Sequence, residues 1–183
     1  YFGSSFHYEG ENYWGIDRLD HLEERLTELG TKKNNISDLI LKRIEIVPMP
    51  STTGIEKEKF NLEFFPSLNS PYTYISFKRV REIANKYPVN LKVRPVMPMI
   101  MRGMKIHPNK GKYVLSDAAR EGRKYGTRIK NIYSPIGSPA RKAYSLFEII
   151  DKNNKGFDFL EELTKASFFD GINIGDEKFL EKL

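Results

Sequence analysis

FNLEFFPSLNSPYTYISFKRVREIANKYPVNLKV, residues 60–93, decides how the fold is read. The apolar run FNLEFF leads through a polar loop to Ser70 and Pro71. A serine that accepts from a backbone N–H, followed by a proline where no N–H is needed, is a helix start. Thr73, Phe77, Val80, Ala84 and Tyr87 then form the inner face of that helix. VNLKVRPVMP returns as a second strand. Strand, helix, strand predicts a right-handed parallel unit with FNLEFF as a buried strand.

Composition limits what can surround this unit. The chain has 183 residues, 39% of them hydrophobic, with 12 Phe and 10 Tyr, enough for a packed core. Its longest apolar runs, FEII and PVMPMIM, fall far short of the roughly 20 residues a bilayer span needs. The expectation is a globular protein without a membrane partner, with a cytoplasmic address. Thirty Lys and Arg against 24 Asp and Glu give a net charge of +6, which favours anionic ligands. The cations are spread over KRVREIANK, HPNKGK, REGRK and SPARK without a dense block or interleaved aromatics, so nucleic acid is not expected. There is no cysteine, hence no disulfide, thiolate metal site or thiol nucleophile from the chain itself. His7, His21 and His107 share no metal-ligand spacing, and no metal is assigned.

On the N-terminal side, Phe6–Tyr8, a turn at Glu9-Gly10-Glu11, and Asn12–Trp14 read as a short hairpin, with Trp14 as a packing aromatic. Leu19, Leu22, Leu26 and Leu29 follow at helical spacing, with Asp17 as N-cap and Gly30 as the stop. Residues 31–59 read as a linker containing one short apolar run, DLILKRIEIVP. On the C-terminal side, KYVLSDAAREGRKYG, ARKAYSLFEIIDK, DFLEELTKASFFDG and DEKFLEKL read as helices.

The order SPYTY helix, RPVMPMIMRG strand and loop, DAAREGRKYG helix, SPIGSPARKAYSLF and FFDGINIGDEKFLEKL resembles the thioredoxin-like DsbA family. Within it, the 2-hydroxychromene-2-carboxylate isomerases and kappa-class glutathione transferases are the members most similar in pattern. The resemblance implies an α/β class, a thioredoxin-like sheet with a helical insertion domain. The N-terminal GENYWGIDRLDHLEERL resembles the hairpin and last helix of the same family, so the pieces stand in permuted order. The implied organisation is residues 1–30 as the hairpin and helix of one domain copy, 31–59 as linker, 60–106 as a βαβ unit and 107–183 as helical insertion. A lone βαβ unit leaves a bare sheet edge and an uncovered face. The expectation is therefore that Phe6–Tyr8 joins the sheet of Phe60–Phe65 and that Asp17 approaches the Ser70 helix start.

Redox members carry two cysteines at this helix start, where the helix dipole stabilises a thiolate. Ser70 and Thr73 occupy those places. In the isomerases and transferases, the resemblance implies that the serine hydroxyl of Ser-Pro-Tyr hydrogen-bonds the thiol of bound glutathione, the cofactor this chain would take. It also implies that Asp17 binds the γ-glutamyl ammonium, although Ile16 stands where a polar residue is expected and Gly3-Ser4-Ser5 replaces the family's proline. Tyr72, Arg94 and Arg102 are the candidates for an anionic substrate, such as an aromatic carboxylate. A homo-oligomer is compatible with this pattern.

Each of these residues also has a simpler reading. Ser70 is an ordinary cap contributing about 1 kcal/mol, Tyr72 and Tyr74 are packing residues, and the arginines are solvated charges. Two functions remain open: a glutathione-dependent isomerase or transferase, and a thioredoxin-like scaffold without catalysis. Neither has dithiol chemistry.

Overall fold

The structure, a computed structural model, describes residues 3–33, 39–41 and 60–183. The chain divides into two compact units, Tyr1–Met49 and Pro50–Leu183.

In the first unit, β1 (Ser5–Tyr8) and β2 (Glu11–Trp14) form an antiparallel hairpin in which Phe6 faces Tyr13 and Tyr8 faces Glu11. The two-residue turn needs positive φ at both positions, and Glu9 and Gly10 supply 46° and 83°. Glu11 thus belongs to the strand rather than to the turn. Its carboxylate accepts from the buried Tyr13 hydroxyl at 2.7 Å and from Arg25 Nε at 3.1 Å, linking the hairpin to α1 (Leu19–Glu28). The expected cap at Asp17 is not formed. After Gly15, with φ 99°, the chain winds into a 3-10 turn over Ile16–Arg18, which shifts the cap position of α1 to Arg18. Asp17 folds back toward Gly15, where a Cβ would collide with Oδ1, and receives the Arg18 guanidinium at 2.6 Å. Gly30 ends the helix as expected. At φ 70° it donates to Thr27 O at 3.0 Å, and Thr31 N donates to Leu26 O at 3.1 Å, a Schellman closure.

In the second unit, β3 (Phe60–Phe64), α2 (Pro71–Lys86) and β4 (Val89–Val93) make the parallel unit read from the sequence. In register, Leu62 faces Leu91 and Phe64 faces Val93 on one side of the sheet, while Asn61 faces Asn90 and Glu63 faces Lys92 on the other. The expectation that FNLEFF is buried is corrected by this alternation. Phe64 and Val93 pack on the core, Asn61 and Glu63 are exposed, and Phe60 at the strand end is 56% exposed.

The expected pairing of Phe6–Tyr8 with Phe60–Phe65 is also not formed. Among the described residues, β1 pairs with β2 and β3 with β4, in separate sheets. The polar side of β3–β4, with Glu63, Lys92 and Arg94, demands no apolar cover. The DLILKRIEIVP run lies almost entirely outside the described residues, as do 34–38 and 42–59 of the expected linker.

The helical section follows as α3 (Pro108–Lys124), α4 (Ser138–Asp151), α5 (Gly156–Phe168) and the short α6 (Glu177–Leu180). His107 caps α3 by accepting from Asn109 N at 3.2 Å. The core combines Leu68, Phe77, Ala143, Leu160, Leu163 and Ile174; α2 and α4 both pack on α5, and Phe64 and Val93 bring the inner side of the sheet against this cluster. On α2, Thr73 and Phe77 are buried as expected; Tyr74 is buried as well, its ring stacked on Phe168 at 6.1 Å. No helix among the described residues is long and apolar enough to cross a membrane.

Candidate functional site

The loop from Phe65 to Ser70 is fixed at both ends before α2 begins. Hydrogen bonding between the two segments continues past β3 and β4, with Arg94 N donating to Phe64 O and Val96 N to Pro66 O, both at 2.8 Å. Tyr144 on α4 then joins the two loops. Its hydroxyl accepts from Leu68 N at 3.0 Å and donates to Val96 O at 2.8 Å. Burial pushes the Tyr144 phenol above its ordinary value, against the opposing hydrogen bonds from Leu68 and Ser67, so it remains a donor at neutral pH. Asn69 is held from a third side, its Oδ1 accepting from Ser134 Oγ at 2.9 Å.

At the helix start, Ser70 Oγ accepts from Thr73 N at 3.3 Å and Pro71 takes the first position. Thr73 Oγ1 accepts from Ser67 N at 3.1 Å, which ties the helix back to its own loop. Ser70 is half-buried. Because its oxygen acts as acceptor toward Thr73, its own O–H is the group it can direct to a ligand, in the positive field of the helix end.

The other candidates are dispersed. The Tyr72 hydroxyl donates to Asp117 Oδ2 at 2.6 Å, and Asp117 lies fully buried on α3 with the Arg120 guanidinium 3.6 Å from its other oxygen. Arg94 donates to Glu63 at 2.5 Å on the polar side of the sheet. Arg102 is exposed at the end of a 3-10 turn, Met99–Arg102. Asp17 belongs to the first unit, with its carboxylate on Arg18. Thus Ser70, Tyr72 and Thr73 share one helix start, while Arg94 and Arg102 stand on separate features.

Asp117, Tyr144, Asn69 and Ser134 were not singled out from the sequence. For Asp117 a signal exists: it falls on the same helical stripe as Val114, Ala118 and Glu121, where an acid requires a partner. Tyr144 and Ser134 have no such signal, because their partners lie far away in the chain.

Comparison with known proteins bears on the fold. The model of the DSBA-like thioredoxin domain matches residues 61–183. The chain belongs to this family. Among solved structures, the DSBA-like chain is similar to 2-hydroxychromene-2-carboxylate isomerase, with 18% identity and a TM-score of 0.53 over 67% of this chain and 63% of that one. It is also similar to a protein described as a putative protein disulfide isomerase from Nitrosomonas europaea, with 17% identity and a TM-score of 0.48 over 68% of this chain and 63% of that one. The match to the first therefore spans less than two thirds of the isomerase's length, and at this identity it speaks for the fold. No curated protein sequence matches the DSBA-like chain. With no cysteine in the sequence, this chain supplies neither thiol of a dithiol redox pair.

Proposed function

We propose that this DSBA-like chain carries a thiol-binding site of the glutathione-dependent isomerase or transferase kind, with Ser70 as the group that meets the thiol. The observation that supports it is the Ser70 hydroxyl, half-buried at the start of α2 and hydrogen-bonded as an acceptor to Thr73 N, which leaves its proton to donate. An O–H donor to sulfur requires no ionisation of the serine, and the helix end favours the thiolate over the thiol. A bound thiol would supply a nucleophile able to add to an electron-poor carbon and leave again. Thr73 takes part by donating its backbone N–H to Ser70 Oγ, which orients that hydroxyl; its own Oγ1 accepts from Ser67 N, so its O–H is left to donate as well. Of the two candidate arginines, Arg102 is the better one for a substrate carboxylate, because Arg94 is occupied by Glu63. The fit is confined to the thiol end: Asp17, the candidate for the γ-glutamyl ammonium, is paired with Arg18.

One observation favours the scaffold reading instead. Ser70, Tyr72 and Arg94 each have a partner inside the fold, as they would if their roles were structural. Calorimetric titration of the full chain with glutathione separates the two. Saturable binding that Ser70→Ala weakens at least tenfold supports the thiol site. Absence of binding, or equal binding by parent and variant, leaves a scaffold.

A further inference from the structure

From Ile83 to Ser116 the chain has no aspartate or glutamate. Within that span, Met99–Lys112 forms an exposed segment whose charge is entirely positive. Its turn is closed by Met101 N and Arg102 N on Pro98 O and by Met104 N on Met99 O, with Gly103 in the left-handed region at φ 80°. Large apolar side chains stand in solvent here: Met99 is 38%, Ile100 46%, Met104 45% and Ile106 37% exposed. Arg102, Lys105 and Lys112 are exposed between and beyond them, and Lys110 is half-buried.

Such a segment calls for an anionic, apolar-tolerant partner, and its composition discriminates between classes. Single-stranded nucleic acid is read by stacking on aromatic rings, and between Pro88 and Lys112 there is no Phe, Tyr or Trp and only the His107 imidazole. Protein interfaces are built on aromatic and arginine anchors with lysine depleted, whereas three of the four cations here are lysines. Aliphatic side chains that enter the acyl boundary, flanked by long cations that stay among the headgroups, suit a lipid surface. We propose that Met99–Lys112 is a peripheral contact for an anionic bilayer surface. The charge complementarity with acidic headgroups commits the segment to that occupant. The expectation of no membrane partner came from the absence of a span, and a surface contact needs none. The proposal does not rest on the reading of Ser70; Arg102 is the one residue the two share, and no variant below alters it.

The test is co-sedimentation of the full chain with vesicles of phosphatidylcholine alone and of phosphatidylcholine mixed with phosphatidylserine. Binding is expected to the mixture, to weaken with added salt, and to be slight for phosphatidylcholine alone. Lys105→Gln with Lys112→Gln removes two exposed cations and should lower partitioning about 25-fold, or about fivefold per cation. Met104→Ser with Ile106→Ser should lower it as well while leaving the salt dependence in place. Because all four side chains are exposed, the variants should keep the parent's far-ultraviolet spectrum and melting temperature. Equal partitioning to both vesicle types, or parent-like binding by both variants, overturns the proposal. So does self-association without lipid that the same variants abolish, since a second copy would then be the occupant.

Discussion

The Tyr72 hydroxyl donates to the fully buried Asp117 carboxylate at 2.6 Å, tying the start of α2 to α3. A hydrogen bond to a buried charge contributes more than a neutral one, because the carboxylate otherwise keeps its desolvation cost. Tyr72→Phe retains the ring and removes only the donor. It should lower unfolding stability by about 2 kcal/mol, measured as a fall in the urea midpoint at constant slope. An unchanged midpoint would mean that water replaces the hydroxyl without cost.

At Ser70, one pair of substitutions separates helix capping from ligand chemistry. Ser70→Ala loses the acceptor for Thr73 N and should cost about 1 kcal/mol. Ser70→Asp keeps an acceptor of equal capping quality and adds a charge the helix end favours, so stability should stay within a few tenths of a kcal/mol. Yet Asp has no proton to offer at neutral pH and repels a thiolate. Glutathione binding should therefore weaken at least tenfold in both variants, although only the alanine variant is less stable. Binding retained by Ser70→Asp would remove the O–H donor from the proposed function.

The helix start at Ser70 and the parallel strands could be read from the sequence because capping, proline position and strand–helix–strand order are local signals. The sidedness of the sheet was legible too, in the strict alternation of Phe60, Asn61, Leu62, Glu63 and Phe64. Reading the run as a buried strand gave its phenylalanines more weight than its period. Asp17 was misplaced for a different reason. Its residue type suits a cap, but the conformation of Gly15 decides where the helix begins. The contacts of Tyr144 with Leu68 and Val96 join residues brought together by tertiary packing, which no local pattern encodes.

Gly122 in α3 gives a prediction whose sign runs against helix propensity. At an exposed helical site, Gly→Ala would stabilise by about 1 kcal/mol. Here the added Cβ would run into the Thr127 carbonyl oxygen, with Ile75 behind it. Thr127 N donates to Gly122 O at 2.7 Å, so that carbonyl cannot retreat without opening the turn that ends the helix. Gly122→Ala should therefore destabilise by about 1–3 kcal/mol, read from thermal or urea unfolding. Stabilisation would show that the turn yields.

Two phenols, the buried Tyr74 and the half-buried Tyr144, make stability fall at alkaline pH. Burial raises the Tyr74 phenol above its ordinary value, and the charges of Asp170 and Glu161 raise it further; burial does the same for Tyr144. In the unfolded chain both titrate near the ordinary value of about 10. Between that value and the raised folded one, the folded state holds more protons than the unfolded state, so stability decreases as pH rises. The contribution is complete below about pH 10 and is lost as pH passes through the folded value. Tyr74→Phe removes one titrating group together with its hydrogen bond to Arg128 O at 3.2 Å. At neutral pH the variant should be less stable by about 1 kcal/mol, and above pH 10 the gap between parent and variant should narrow. Urea midpoints followed from about pH 8 to about pH 11 measure this. Lysine deprotonation affects parent and variant alike, so the narrowing belongs to Tyr74. A gap that stays constant across the range would mean that the Tyr74 phenol titrates alike in the folded and unfolded chains.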